Sequence, residues 1–273
     1  DFDNSEFLDF LRSNGFYIAE NSYSNYNQTA LSLSSSLNFD YLEEIIEDVG
    51  SDSESRHPTT RAIRQNRLVD FLRSKGYTFI AFSSGYSVTE IYNADIYIDT
   101  SATELNNFEK GFLVNTIAVL WLDKMTPFWY RSQLMNTIDQ LGQSWEIETG
   151  TPKFIFAHIL MPHPPFAFGP NGEHLPIKGF LDGNYFNGTR EEYIEGYKGQ
   201  LTYLNKKMVD VITQILNDSK TDPIIILQGD HGPGTYLNWD TYNQPCLQER
   251  MGILNVYHLP GDGQKQLYPG ITP

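Results

Sequence analysis

The chain has 273 residues, of which 40% are hydrophobic and 19% are charged, so its composition excludes wholesale disorder and is that of a folded globular protein. Its formal net charge of -15 argues against nucleic acid as a partner, because phosphate backbones are held by clustered Lys and Arg. Cys246 is the only cysteine, which excludes an internal disulfide and a zinc site built from cysteines.

Two similar segments, residues 9–16 and 70–77, come first along the chain. In each, an amphipathic run ends at a glycine, Gly15 or Gly76, that suits the left-handed position after a helix. An apolar, aromatic-rich run follows each glycine. The pattern therefore predicts a helix followed by a strand, twice.

Short apolar runs bounded by turn residues predict buried parallel strands at 94–98, 154–160 and 224–227. Between the last two, apolar residues recur at spacings of three and four over residues 193–215, which predicts a helix and a right-handed crossover. Residues 162–190 are rich in Pro, Gly and Asn and predict a long surface loop. The fold class expected is α/β with a mainly parallel sheet.

Residues 24–37 predict a loop that turns into a helix rich in small hydroxyl side chains, with Thr29 near its start. A hydroxyl at a helix N-terminus lies where the helix dipole favours negative charge, so Thr29 is a candidate nucleophile that a metal ion could activate. Thr and Ser are also preferred helix caps, and this alternative for Thr29 stays open.

The predicted strand at 154–160 is followed by Pro162-His163-Pro164-Pro165, so His163 lies at its carboxyl end. Flanking prolines restrict the backbone, which suits an imidazole that hydrogen-bonds an anionic ester or protonates a leaving oxygen. A histidine without a role in a proline-rich turn is the alternative. His158 lies within the strand and is interpreted as a satisfied core histidine.

The strand at 224–227 runs into Gly229-Asp230-His231-Gly232. Ligands bind at the carboxyl ends of parallel strands, and a carboxylate oxygen and an imidazole nitrogen are good ligands for Zn²⁺ or Mn²⁺. The glycines are expected to let the backbone turn so that both side chains converge on one ion. An Asp that caps the next helix, beside a partly exposed His, is the alternative.

In chain order, Thr29, the segment from Pro162 to Phe166 and Asp230-His231-Gly232 resemble the sulfatase-like branch of the alkaline-phosphatase superfamily, which includes lipoteichoic acid synthases and phosphoethanolamine transferases. That family has a nucleophile at a helix N-terminus, then a Pro-His-x-Pro-Phe-like segment after a middle strand, then Asp-His-Gly after a late strand. The resemblance covers most of the chain and implies an alkaline-phosphatase-like three-layer sandwich with a mainly parallel central sheet.

The resemblance also implies a role for each residue. Thr29 would be the nucleophile and a metal ligand, Asp230 and His231 would bind the metal, and His163 would contact the ester. The implied cofactor is a divalent metal ion, Zn or Mn, with Mg or Ca as alternatives. The family takes a further metal carboxylate from its first strand, and this chain starts after the place of that strand. We therefore expect one sulfatase-like catalytic domain over residues 1–273, incomplete at both ends, with a weakly held metal and low activity on its own.

The implied function is transfer or hydrolysis of a phosphate ester on a lipid head group or cell-envelope polymer. No Cys-x-Pro-Ser-Arg motif of the sulfatases proper is present, so sulfate esters come second, beside a phosphatase of the same fold and a non-catalytic binding relative. Tyr236, Trp239 and Tyr242 could line a carbohydrate or lipid-head-group pocket. Family members carry transmembrane helices ahead of the catalytic domain, so the parent protein is expected to be membrane-anchored and to face outside the cytoplasm.

Overall fold

The computed structural model describes residues 2–45, 55–101, 119–177, 188–236 and 244–273, with residues 109, 112, 115, 116 and 186 between them. Within these stretches no helix combines the length and the apolar character needed to cross a bilayer.

Helices and strands are mixed along the described stretches of the chain, with four consecutive helices there before the second strand. The helices in the described stretches are α1 (Ser5–Ser13), α2 (Thr29–Ser36), α3 (Leu42–Ile45), α4 (His57–Arg64), α5 (Arg67–Ser74), α6 (Val119–Gly142), α7 (Arg190–Asp218) and α8 (Gln244–Met251). The strands there are β1 (Tyr17–Ile18), β2 (Thr78–Phe82), β3 (Ile96–Ile98), β4 (Lys153–Phe156), β5 (Ile225–Gln228) and β6 (Asn255–His258). Two 3-10 turns, Ser144–Glu146 and Gly263–Gln266, complete them.

The described strands form two three-stranded sheets. One has the order β3-β2-β4 and is parallel throughout, with Ile80 opposite Ile96 on one side and Ile155 on the other. The other has the order β1-β6-β5 and is antiparallel. The predicted α/β class with a parallel sheet is confirmed.

The two predicted helix ends are confirmed in detail. Gly15 and Gly76 have φ of 79° and 84°, which only glycine adopts readily. At each end the amide after the glycine reaches back to a leucine carbonyl, Phe16 to Leu11 at 3.0 Å and Tyr77 to Leu72 at 3.1 Å. This is a Schellman motif, and it turns the chain directly into β1 and β2.

The last predicted strand, residues 224–227, forms as β5, but its expected pairing is wrong. β5 pairs antiparallel with β6 and is not hydrogen-bonded to β4 among the described strands. Ile224 is 65% exposed and Ile226 is 56% exposed, so the run is not buried on both faces. A short apolar run predicts a strand without specifying its neighbour or its direction, because both kinds of sheet use the same residues.

The segment after β4 departs from the prediction of a surface loop. Phe166, Ala167 and Phe168 are buried, and the last two belong to the main hydrophobic core with α1, α6 and α7. A buried loop needs partners for its backbone amides. Gln200, a fully buried side chain of α7, supplies them by accepting from Ala167 N at 2.7 Å and Phe168 N at 3.2 Å.

Candidate functional site

Thr29 is the first residue of α2, and its hydroxyl points to the site rather than to its own helix. Gln28, not Thr29, occupies the N-cap position, and its side chain makes no capping hydrogen bond. The alternative that Thr29 caps the helix is therefore wrong. Ala30, Leu33 and Leu37 anchor α2 in a second core with β2. The start of α2 is therefore held firmly, which fixes the half-buried Thr29.

Asp230 and His231 follow β5 and meet Thr29. Thr29 Oγ1 lies 3.2 Å from His231 Nε2, and Asp230 Oδ2 lies 3.4 Å from the same nitrogen. The side chains of His231 and Asp230 are 10% and 20% exposed. The next described helix after Asp230 begins at Gln244, so Asp230 caps no helix there. Thr29 and His231, which are 202 positions apart in sequence, thus meet together with Asp230 in one place.

The ring of His231 has a defined tautomer. Its Nδ1 lies 3.0 Å from the carbonyl oxygen of Gly232, so Nδ1 carries the proton and donates it. Nε2 therefore carries the lone pair that faces Thr29. Burial lowers the pKa of His231 below its ordinary value, and Arg250 adds to that lowering although Asp230 opposes it. The ring is neutral at pH 7 and can accept a proton or bind a cation.

Asp230 offers an oxygen that no described protein group satisfies. Oδ2 is buried and accepts no hydrogen bond within the described residues. Burial raises the pKa of Asp230, but the influence of His231, His158 and Thr29 outweighs it, and the net pKa is lowered. The carboxylate is ionised at neutral pH. An orphaned anionic oxygen beside a neutral imidazole nitrogen fits a divalent cation.

The donor set is nevertheless small. Among the described residues, no group of three or more His, Cys, Asp or Glu side chains could hold a metal ion. Asp230, His231 and the hydroxyl of Thr29 make three donors, the number of protein ligands in catalytic zinc sites that keep an open position. The expectation that the metal is weakly held stays a prediction.

His163 lies near the same site, although the residue as a whole is exposed at the surface. Burial lowers its pKa, and its ring interacts electrostatically with Arg250 and Asp230. Its Nδ1 contacts the carbonyl oxygen of Pro164, so Nε2 carries the lone pair of the neutral ring. Gln200 Nε2 donates to the His163 carbonyl at 3.1 Å. The same glutamine that buries the following loop therefore also positions His163.

His158 was predicted to lie within the strand, but β4 ends at Phe156, so His158 follows the strand and lies near Asp230. Its Nδ1 lies 2.9 Å from Thr89 Oγ1, and its ring interacts electrostatically with Asp230. The neighbouring Glu90, 6% exposed, accepts from the amides of Ser84 at 3.1 Å and Gly85 at 2.7 Å and braces the loop after β2. Neither Thr89 nor Glu90 is marked by periodicity or by a motif, so sequence reasoning missed both.

Arg250, on the last turn of α8, is the other residue that the sequence did not reveal. It is 9% exposed, and its Nη2 lies 3.1 Å from His231 Nε2. The sequence signal was slight: a single arginine close to the start of β6, in a chain with only 19 Lys and Arg. Nothing in that pattern indicates burial.

The expected aromatic lining is only partly visible. Tyr236 is 49% exposed and lies under the Arg190 guanidinium at 4.7 Å, while Trp239 and Tyr242 lie outside the described residues. Tyr193 and Tyr197 of α7 stack with centroids 6.2 Å apart and interact electrostatically with Arg250. Aromatic side chains therefore flank the site from α7.

Gly232 is required for a different reason from the one expected. It does not have a positive φ; instead, a Cβ there would overlap the carbonyl oxygen of Glu249 and lie 2.7 Å from that of Gly252. Gly232→Ala is expected to destabilise the protein by about 1–3 kcal/mol, because backbone atoms cannot move aside easily. Gly229→Ala is the control, since its Cβ would meet Ile253 at an ordinary 3.6 Å. Urea unfolding of both variants checks this, and equal stabilities would contradict it.

His158 makes stability depend on pH. Burial lowers its pKa below the ordinary 6.5, so below about pH 6.5 the unfolded chain takes up a proton that the folded protein resists. The stability from the neutral ring is complete above that pH and is lost as pH falls. In urea unfolding between pH 7.5 and 5.5, on either side of that ordinary value, His158→Gln should lose less stability than the wild type. His57→Gln, an exposed control, should follow the wild type; equal losses in all three would refute the assignment.

A hydroxyl, a carboxylate and an imidazole that converge beside a strand end in an α/β fold are the parts of an ester hydrolase or group transferase. The sequence model of the Sulfatase family matches residues 3–270. The chain belongs to the sulfatase family. This membership supports transfer or hydrolysis of a phosphate or sulfate ester. A comparison with curated proteins found no match.

Solved structures share the fold at low sequence identity. The zinc complex of the C-terminal periplasmic domain of EptC from Escherichia coli has a TM-score of 0.58 and 14% identity, over 96% of this chain and 67% of that domain. The integral membrane lipooligosaccharide phosphoethanolamine transferase A from Neisseria meningitidis has a TM-score of 0.51 and 13% identity, over 93% of this chain and 43% of that protein. A protein of glycosaminoglycan metabolism from Bacteroides thetaiotaomicron has a TM-score of 0.54 and 14% identity, over 98% of this chain and 63% of that protein.

Proposed function

We propose that this protein is a metal-dependent enzyme that moves the phosphoryl group of a phosphate ester, with Thr29 as the nucleophile. The observation that carries this proposal is the convergence of Thr29 Oγ1 and Asp230 Oδ2 on His231 Nε2, at 3.2 and 3.4 Å. A nucleophile needs a nearby group that takes or offsets its proton, and this arrangement supplies one. The N-terminus of α2 favours negative charge on Thr29.

Each residue has a separate task in the proposal. Thr29 attacks the ester and holds the transferred group, Asp230 supplies fixed negative charge, and His231 presents its Nε2 lone pair. Asp230, His231 and Thr29 would hold a divalent cation, Zn or Mn with Mg or Ca as alternatives. When bound, it would favour the alkoxide and offset charge on the transferring group.

His163 is proposed to contact the ester itself. Its neutral ring is near enough to Arg250 and Asp230 to interact with them electrostatically, and the prolines around it restrict its backbone. In that position it can hydrogen-bond the ester or pass a proton to the leaving oxygen. His163 would then act on the ester, whereas Asp230 and His231 would act on the hydroxyl of Thr29.

We rank phosphate esters above sulfate esters as the proposed substrate class, because the chain has no Cys-x-Pro-Ser-Arg motif. Sulfate ester hydrolysis is the second candidate, and the family match favours it. The substrate is proposed to be a lipid head group or a cell-envelope ester, acted on outside the cytoplasm by a membrane-anchored parent protein. The named activity, periplasmic location and membrane domain of the EptC and EptA structures support this extension, which their identity of 13–14% does not establish.

An assay with matched leaving groups tests the proposal. Aryl phosphate, bis-aryl phosphate and aryl sulfate are offered to the protein with added Zn²⁺ or Mn²⁺. We expect turnover of a phosphate substrate that chelation abolishes and metal restores. Turnover of the sulfate alone would favour the second candidate, and specific binding of all three without turnover would indicate a non-catalytic relative.

A further inference from the structure

Arg250 is a buried cation whose contacts are all with neutral groups. Its Nε donates to the Asn27 carbonyl at 2.8 Å, and its Nη1 donates to the Gly232 carbonyl at 2.8 Å. Its Nη2 lies 3.1 Å from His231 Nε2. No carboxylate in the described part of the chain forms a salt bridge with it. A guanidinium with 9% exposure thus has hydrogen bonds only to neutral groups among the described residues, and the carboxylates of Asp230 and Glu249 act on it electrostatically without forming a salt bridge.

Two of these contacts fix the guanidinium, and the third can be exchanged. The two carbonyls belong to the loop before Thr29 and the loop after His231, so Arg250 joins the two segments that build the site. The Nη2 contact is different, because Thr29 Oγ1 lies 3.2 Å from the same imidazole nitrogen. Nε2 has one lone pair, and only one donor can take it at a time.

The charge of the protein makes this cation significant. A net charge of -15 repels an anionic ester, so the site needs local positive charge to bind one. Burying a guanidinium that no anion contacts is unfavourable, and an anion bound directly to it would relieve that. Arginine is also the side chain whose planar donors best match the oxygens of phosphate and sulfate.

We propose that Nη2 of Arg250 binds a non-bridging oxygen of the anionic ester, so that Arg250 is a substrate-binding residue beside Thr29. This inference rests on the proposed function, which brings the ester to Thr29. The carbonyls of Asn27 and Gly232 keep the guanidinium in place while Nη2 exchanges His231 for the ester oxygen. The ligand class is a tetrahedral oxyanion, phosphate or sulfate.

Binding of inorganic phosphate, measured calorimetrically with chelated metal-free protein, tests this role apart from turnover. Arg250→Gln is expected to weaken phosphate binding by at least about tenfold, the size of a hydrogen bond to a charged group. The phosphate affinity of Arg250→Lys should lie between those of the wild type and Arg250→Gln, since lysine keeps the charge and loses the planar set of donors. Arg131→Gln is the matched control, because Arg131 also donates to two carbonyls, those of Ala167 and Leu175, and it should bind phosphate as the wild type does.

A wild-type crystal soaked in phosphate provides a second test that needs no variant. We expect a phosphate oxygen within hydrogen-bond distance of Nη2. Undiminished binding by folded Arg250→Gln, no phosphate binding by the wild type, or an anion bound away from Arg250 would each overturn the inference.

Thr29→Ala separates this inference from the proposed function. It should bind phosphate normally while its turnover is lost. Normal turnover in Thr29→Ala together with weak phosphate binding in Arg250→Gln would reject the nucleophile and keep the anion site. Lost turnover in Thr29→Ala together with normal phosphate binding in Arg250→Gln would keep Thr29 as the nucleophile and reject Arg250 as the anion-binding residue.

Discussion

Replacing Thr29 by alanine is expected to lower kcat by at least about 10³-fold, because loss of a nucleophile removes the covalent route altogether. The fold should survive, since the hydroxyl of Thr29 caps no helix and α2 is held by Ala30, Leu33 and Leu37. Steady-state kinetics on the best phosphate substrate, with thermal unfolding of the same samples, measure both effects. A large loss of kcat with little change in the unfolding temperature is the expected pair of results.

Two further variants show whether the effect belongs to this hydroxyl. Thr29→Ser keeps an alcohol at the same position and should keep part of the activity. Thr202→Ala removes the same atoms from α7, where the hydroxyl only donates to Lys198 O of its own helix at 2.9 Å, and should leave kcat unchanged. Equal activity of Thr29→Ala and the wild type would remove Thr29 from the mechanism.

Replacing Asp230 by asparagine is expected to weaken zinc binding by at least about 100-fold, because even groups outside the ligand shell contribute about 10–100-fold to metal affinity. The change keeps the shape of the side chain and removes the charge that Oδ2 carries without a described partner. A calorimetric titration of Zn²⁺ into the metal-free protein measures the affinity. The rise in unfolding temperature on adding Zn²⁺ should disappear in the variant.

Asp222→Asn is the matched control for this experiment. Asp222 stands just before β5, its side chain is 62% exposed, and it lies 3.9 Å from an imidazole of its own, that of His258. The same chemical change there should leave zinc binding intact. If Asp230→Asn and Asp222→Asn bind zinc equally well, the cation does not use Asp230.

The parts of the site that sequence could predict are those with local signals. Asp230 and His231 follow an apolar strand between glycines, and Thr29 begins a helix; each of these patterns is contained within about a dozen residues. Their convergence is not local, since Thr29 and His231 are 202 positions apart. The resemblance to a family, not periodicity, is what predicted that they meet.

The parts that sequence missed depend on packing. Arg250 is buried by contacts with the loops that contain Asn27 and Gly232, and no pattern around position 250 encodes those contacts. Gln200 reads as one polar residue in a long helix, yet it satisfies the amides that allow residues 167 and 168 to enter the core. The antiparallel partner of β5 was missed for the same reason, because strand pairing is decided by the whole sheet.

The proposed mechanism requires a covalent bond between Thr29 and the transferred group. Mass spectrometry of the peptide that contains Thr29, after acid quench of a reaction with aryl phosphate, measures this. The account predicts phosphothreonine at position 29 in the wild type and an unmodified peptide in Thr29→Ala. Steady turnover with Thr29 unmodified, or with the phosphoryl group on another residue, would contradict it.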